Sequence, residues 1–221
     1  MNGQTEVPYF EPRWPIALAI LVVLFLLAVL PDRVRLLPMW VTYVVGFGVL
    51  MPIDAVGLTA PKTRWLRVER TVTLLFFVVA GTGTLANLVN LIGEMLNRSA
   101  EIDGLQLLTS SIAVWVTNVF MFSMLYWQID RGGPEARVNN ASTRPDWLFP
   151  QEAAPAKDVP HGWQPTFVDY LYLGYSTATA FSTSDVMPLT PRSKLLMMLE
   201  STISLITIAA IASRAINILG N

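Results

Sequence analysis

FVDYLYLGYSTATAFSTSDVMPLTPRSKLLMMLESTISLITIAAIASRAINI, residues 167–218, decides how the chain is read. An apolar segment runs from Phe167 to about Thr177. At 1.5 Å per residue it is about 16 Å long, half the hydrocarbon core of a bilayer. A run of hydroxyl residues follows, Thr179, Ser182, Thr183 and Ser184, ending at Asp185. Then come Pro188, Thr190, Arg192 and Lys194, and a long apolar stretch from Leu195 to Leu219 that holds Glu200, Thr202, Ser204 and Thr207. A rod too short to span, a polar extended run and a full span together predict a re-entrant hairpin. Irregular backbone at membrane depth is stable only where protein buries it or water lines it.

The rest of the chain agrees with a membrane setting. Of 221 residues, 53% are hydrophobic and 14% charged, against about 25% charged in ordinary soluble domains. Apolar stretches at 16–30, 36–59, 74–91, 105–127 and 195–219 predict an all-α integral membrane protein of about five spans plus the re-entrant helix and loop. A multi-pass protein of the plasma membrane is expected. Residues 1–15 carry Glu6, Glu11 and Arg13 rather than a basic start, so no cleavable signal is expected. A net charge of −1 gives no sign of nucleic-acid binding. With no cysteine and one histidine, thiolate chemistry and histidine metal clusters are excluded. No nucleophile elbow or phosphate loop is present, so no enzyme and no cofactor are expected.

Four regions follow. Residues 1–127 hold four N-terminal spans, the last at 105–127. The second span contains Pro38, Gly46, Gly48 and Pro52 and is expected to kink. Asp54 near its end is expected to pair with a neighbouring arginine at the interface. Arg64, Arg67 and Arg70 recur every third residue at the start of the third span. Voltage-sensing helices use that spacing, but three arginines confined to one end read as an interfacial cluster. Gly81, Gly83 and Ala86 would let another helix approach closely. Residues 128–165 form a long extramembrane segment without regular structure. Its Trp147, Phe149 and Trp163 are expected to pack as a cap over the next element. Residues 166–194 hold the short helix, with Thr166 at its N-cap, and the polar loop; residues 195–221 hold the last helix.

Residues 167–218 resemble the pore module of potassium channels of the two-span kind. Phe167, Asp169, Leu171 and Tyr172 match that family's pore helix, and Thr177 and Thr179 its two threonines below the filter. Asp185, Pro188, Thr190 and Lys194 match the run after the filter without a gap. Leu199-Glu200 matches the start of the inner helix, and Ser204 stands where a hinge glycine is common. The resemblance implies a homotetramer around one axis, because one hairpin cannot enclose a pore. It also implies a monovalent cation as the pore's ligand and an outward-facing filter. Thr177, Glu200 and Ser204 would support the pore, Glu200 by pairing with the short helix or with Arg192. Tyr170, Tyr172 and Tyr175 would pack.

The filter departs from the family. Phe181-Ser182-Thr183-Ser184 stands where potassium channels have V-G-Y-G. Glycine permits the positive φ values that turn carbonyls inward; serine is penalised there by roughly 1 kcal/mol or more. A wider vestibule lined by Thr179, Ser182, Thr183 and Ser184, with Asp185 at its rim, would pass cations with weak selectivity. The alternative is a non-conducting structural or partner-binding protein on a channel-derived fold, with 128–165 as the contact surface. Orientation is contested within the sequence. Eleven of the fifteen basic residues fall on the filter side, which the positive-inside bias would place in the cytoplasm. The resemblance places that side outside.

Overall fold

Residues 12–29, 40, 44, 46–51, 63–97, 104–138, 144–160, 162–179 and 185–219 are described in a computed structural model of the chain. Four long helices dominate: α1 (Trp14–Val29), α2 (Thr63–Asn97), α3 (Gly104–Ile129) and, after the shorter elements, α7 (Pro191–Leu219). Between α3 and α7 lie a 3-10 turn (Asp130–Gly132), α4 (Pro134–Val138), β1 (Trp147–Leu148), α5 (Pro150–Ala153), α6 (Phe167–Thr179) and β2 (Met187–Pro188).

Among the described residues, three helices are long and apolar enough to cross a membrane: Arg67–Asn90 within α2, Leu108–Gly132 from α3, and Pro191–Ser213 within α7. The first expected span is α1, whose 16 residues give about 24 Å, short of a 30 Å core. In the second expected span residues 46–51 are helical; Asp54, Pro38 and Pro52 lie outside the described residues.

α3 is the axis of the fold. Of its apolar window 67% is buried, against 33% for α2 and 28% for α7. After Gly104 it contains neither glycine nor proline, so nothing interrupts its hydrogen-bond ladder. α1, α2, α6 and α7 all pack on it. Each runs antiparallel to it, as the contacts at its end show. Arg13, just before α1, lies over the Trp127 ring at 5.1 Å and pairs with Glu69 at 3.5 Å. Arg70 Nη1 donates to Gly132 O at 2.8 Å. Phe167, which opens α6, meets Trp127 edge-on at 6.4 Å. The Phe77–Phe122 edge contact at 5.7 Å then fastens α2 to α3 lower down.

Several expectations need correction. Residues 128–165 are not without regular structure; α4, β1 and α5 lie there. The all-α description also omits an antiparallel pair, Trp147 opposite Pro188 and Leu148 opposite Met187. α2 continues to Asn97, six residues past the end of the apolar stretch at 74–91. α7 begins at Pro191 rather than Leu195. Thr190 Oγ1 accepts from Ser193 N at 3.3 Å while Thr190 N donates to Ser193 Oγ at 3.2 Å. This reciprocal box, with proline in the first helical position, starts the helix a turn early. Finally, a Cβ built on Gly81 or Gly83 meets nothing within 4 Å. Among the described residues no neighbouring helix comes close to these glycines; Gly81 lines a gap between α2, α3 and α7.

Candidate functional site

The cap end is assembled around Asp130, which is fully buried. Its Oδ2 accepts from Tyr170 OH at 2.6 Å and its Oδ1 from Asp146 N at 2.7 Å. One carboxylate thus joins the end of α3, the cap and the second turn of α6. The turn that presents it needs left-handed backbone at Arg131 (φ 55), Gly132 (φ 81) and Gly133 (φ 88), a conformation glycine adopts without a steric penalty. Arg137 Nη1 donates to Trp127 O and Asp130 O, both at 3.1 Å, so α4 closes the end of α3.

The loop after β2 is stapled to the same hub. Asp146 accepts from Arg192 Nε at 2.6 Å, from Arg192 Nη2, and from Thr190 Oγ1 at 2.7 Å. Leu189 N donates to Asp146 O at 2.8 Å. A two-pronged guanidinium–carboxylate pair fixes geometry as well as charge. The aromatic cap expected over α6 is present: Phe149 meets Tyr170 at 5.3 Å and Trp163 at 6.1 Å, and Trp147 meets Tyr126 at 4.7 Å.

α6 starts at this hub and runs down α3. Thr166 N and Oγ1 both donate to Asp169 Oδ2, at 2.7 and 2.8 Å, the third helical residue reaching back as in a capping box. Trp115 meets Tyr175 edge-on at 6.1 Å. The close approach of α6 to α3 requires Gly174. A Cβ there would collide with Ser123 Oγ and lie 3.2 Å from Val119 O and 3.3 Å from Glu200 Oε1. Near its end, α6 meets α7: Ser201 Oγ donates to Thr177 O at 3.2 Å. Ser201 is ten residues into α7, about 15 Å below its start. By Met187 the chain is back beside Leu148 at the cap.

Glu200 is fully buried where α3, α6 and α7 meet. It does not pair with Arg192, whose guanidinium is taken by Asp146. Its partner is Tyr126 of α3, whose OH donates to Oε2 at 2.5 Å; Oε1 has no hydrogen bond among the described residues. Ser204 is likewise buried, and it does not behave as a free hinge: Asn118 Nδ2 donates to its Oγ at 2.9 Å and to Glu200 O at 3.3 Å. Replacing Asn118 by leucine should lower stability by about 1–3 kcal/mol, because Ser204 Oγ is left buried without a donor. Asn118→Leu combined with Ser204→Ala should recover most of that loss. Denaturant unfolding in detergent micelles, followed by tryptophan fluorescence, measures both.

The remaining expected site residues separate. Thr177 is buried with its hydroxyl unpartnered among the described residues. Thr179 turns its hydroxyl back to Ser176 O at 3.0 Å. Asp185 is exposed. Phe181, Ser182, Thr183 and Ser184 lie outside the described residues. Of the tyrosines, Tyr170 packs inside as expected, while Tyr172 and Tyr175 are about half exposed. Of the basic cluster, Arg70 is tied to the turn after α3 and Arg67 lies on the surface. Asp130, Asp146, Tyr126 and Asn118 escaped the sequence reading. The one local signal was a run of polar residues, Ser110, Ser111, Thr117, Asn118 and Ser123, inside an otherwise apolar helix.

No protein-family model matches the chain, and neither a curated protein nor a solved structure is similar to it.

Proposed function

We propose that α6, the loop at residues 180–190 and α7 form a re-entrant pore hairpin, and that four copies around one axis make a weakly selective cation channel. The observation that carries this reading is the level at which α6 stops. Thr177 lies beside Ser201, ten residues and about 15 Å into α7, half the depth of a 30 Å core, while Phe167 and Met187 on either side both sit at the cap. A rod that enters to half depth and returns to the same face is what a pore loop requires. A peptide backbone at that depth needs protein or water around it. One chain supplies α3 and α7 on one side only, and further copies would close the other.

In this reading the protein has five spans, with α1 and the segment at 36–59 completing the set, and it sits in the plasma membrane with its cap outside. Thr179, Ser182, Thr183 and Ser184 line a vestibule for partly hydrated monovalent cations. Asp185 supplies a ring of four carboxylates at the mouth, which raises the local cation concentration. Tyr126, Asn118, Glu200 and Ser204 hold α7 against α3 behind the loop.

Purified protein in liposomes should pass monovalent cations. Asp185→Ala should lower that flux about tenfold at low ionic strength, and the difference should close near 1 M salt, where the Debye length is about 3 Å. Thr183→Ala should change the ratio of permeant ions. Absence of flux across a range of voltage, pH and lipid, with particles lacking fourfold symmetry, refutes the reading. The second reading, a non-conducting partner-binding protein, draws on the missing filter glycines at Ser182 and Ser184; it predicts a heteromer held through residues 128–165.

A further inference from the structure

The gap beside Gly81 has a definite shape. It is a cavity of about 220 Å³ among α2, α3 and α7, walled chiefly by Phe77, Gly81, Leu85, Asn118, Phe122 and Ile203. It lies between the three helices that are long and apolar enough to cross a membrane. Apart from Thr82, Thr84, whose hydroxyl is turned back to Ala80 O, and the Asn118 amide, which is turned to Ser204 and Glu200, the walls are apolar. An apolar cavity of about 150 Å³ stays dry and takes up a single aromatic ring; sites for drug-sized molecules begin near 300 Å³.

We infer that this cavity is a binding site for one acyl chain of a membrane phospholipid. Three observations converge on that occupant. First, the cavity is bordered on α2 and α7 by Val78, Leu85 and Leu199, each about half exposed. Its mouth is therefore continuous with the face the helices turn to hydrocarbon, and only what dissolves in hydrocarbon reaches it. Second, the space is made by absent side chains. Glycine inside a helix costs about 0.5–1 kcal/mol relative to alanine, and at Gly81, which lines the cavity, no helix among the described residues uses the close approach that glycine permits, since a Cβ there meets nothing within 4 Å. The room Gly81 leaves is available to an occupant from outside the chain. Third, the volume is too small for another helix, and its lining on α2 runs from Phe77 to Leu85, two turns of helix, which suits a flexible tail. The chain seated there touches Leu199 and Ile203 and lies against Asn118, the residue that ties α7 to α3.

Reconstitution into phosphatidylcholine vesicles carrying a diazirine near the end of one acyl chain tests this directly. After irradiation and digestion, adducts should concentrate on peptides containing residues 77–85, 118–122 and 199–203. Gly81→Phe, which fills the space, should lower those adducts about tenfold, equivalent to about 1.4 kcal/mol of lost affinity. Labelling at Phe25 and Leu205, exposed elsewhere, should be unchanged. Val78→Trp, at the exposed mouth, is the second variant and should act in the same direction without burdening the interior. Even labelling over all exposed faces, labelling of the cavity by a headgroup diazirine as strong as by the tail, or adducts indifferent to both substitutions overturns the inference. None of these outcomes depends on whether the protein conducts ions.

Discussion

Asp130→Ala should cost about 3–5 kcal/mol of unfolding free energy, the range for removing one partner from a buried charged pair. The residue is fully buried, and its two oxygens serve different parts of the chain. Without them the Tyr170 hydroxyl and the Asp146 N–H lose acceptors at 2.6 and 2.7 Å and remain enclosed. Arg131 Nε, at 3.4 Å, also loses an opposite charge. Asp130→Asn keeps one acceptor oxygen and the same volume, and should lose roughly half as much. Denaturant titration in micelles, with Trp147 as the reporter in a background of the other tryptophans replaced, gives the difference. A loss below about 1 kcal/mol, the size of an ordinary substitution, would mean that the cap is not organised by this carboxylate.

The second large effect is expected at Gly174. Gly174→Val places a Cβ against Ser123 Oγ and within 3.3 Å of both Val119 O and Glu200 Oε1. Two of these neighbours belong to the fully buried Ser123 and Glu200, and the third is backbone, so none can swing away. α6 must lift off α3, at a cost of about 3 kcal/mol, the upper part of the range for overpacking a core. Because the worst collision is with a hydroxyl, Ser123→Ala in the same chain should restore a measurable part of the loss. An absence of coupling between the two substitutions would contradict the contact. Cation flux, where present, should vanish in Gly174→Val and return in part with Ser123→Ala.

Local pattern made some of this legible. The apolar run from Phe167, closed by hydroxyl residues, gave α6 to within two residues of its observed end at Thr179. The apolar stretch at 105–127 gave α3 to within two residues at either end. Thr166 before an Asp169 three residues on is a start signal that lies entirely within one turn. Trp147 and Phe149, in a segment otherwise rich in loop formers, could only be there to pack. What escaped depends on partners far apart in the chain. Tyr126 and Glu200 are separated by 74 positions, and Arg192 and Asp146 by 46. Neither period nor spacing says which of several acids an arginine will meet. Glu200 was therefore assigned to the short helix or to Arg192, when its hydrogen-bond partner is a phenol on α3. The glycines of α2 show a different limit. A small residue reads the same whether it admits a helix or leaves a vacancy, and only the positions of α3 and α7 tell the two apart.

That α1, α6 and α7 begin where α3 ends has an electrostatic consequence. Aligned peptide dipoles leave roughly half a positive charge at each helix beginning and half a negative charge at each helix finish. At the Ile129 end of α3, three such beginnings surround one finish, so the backbone alone makes that face of the molecule attractive to anions. Asp130, Asp146 and Asp169 collect there, and they answer a field that the peptide groups set up before any arginine is counted.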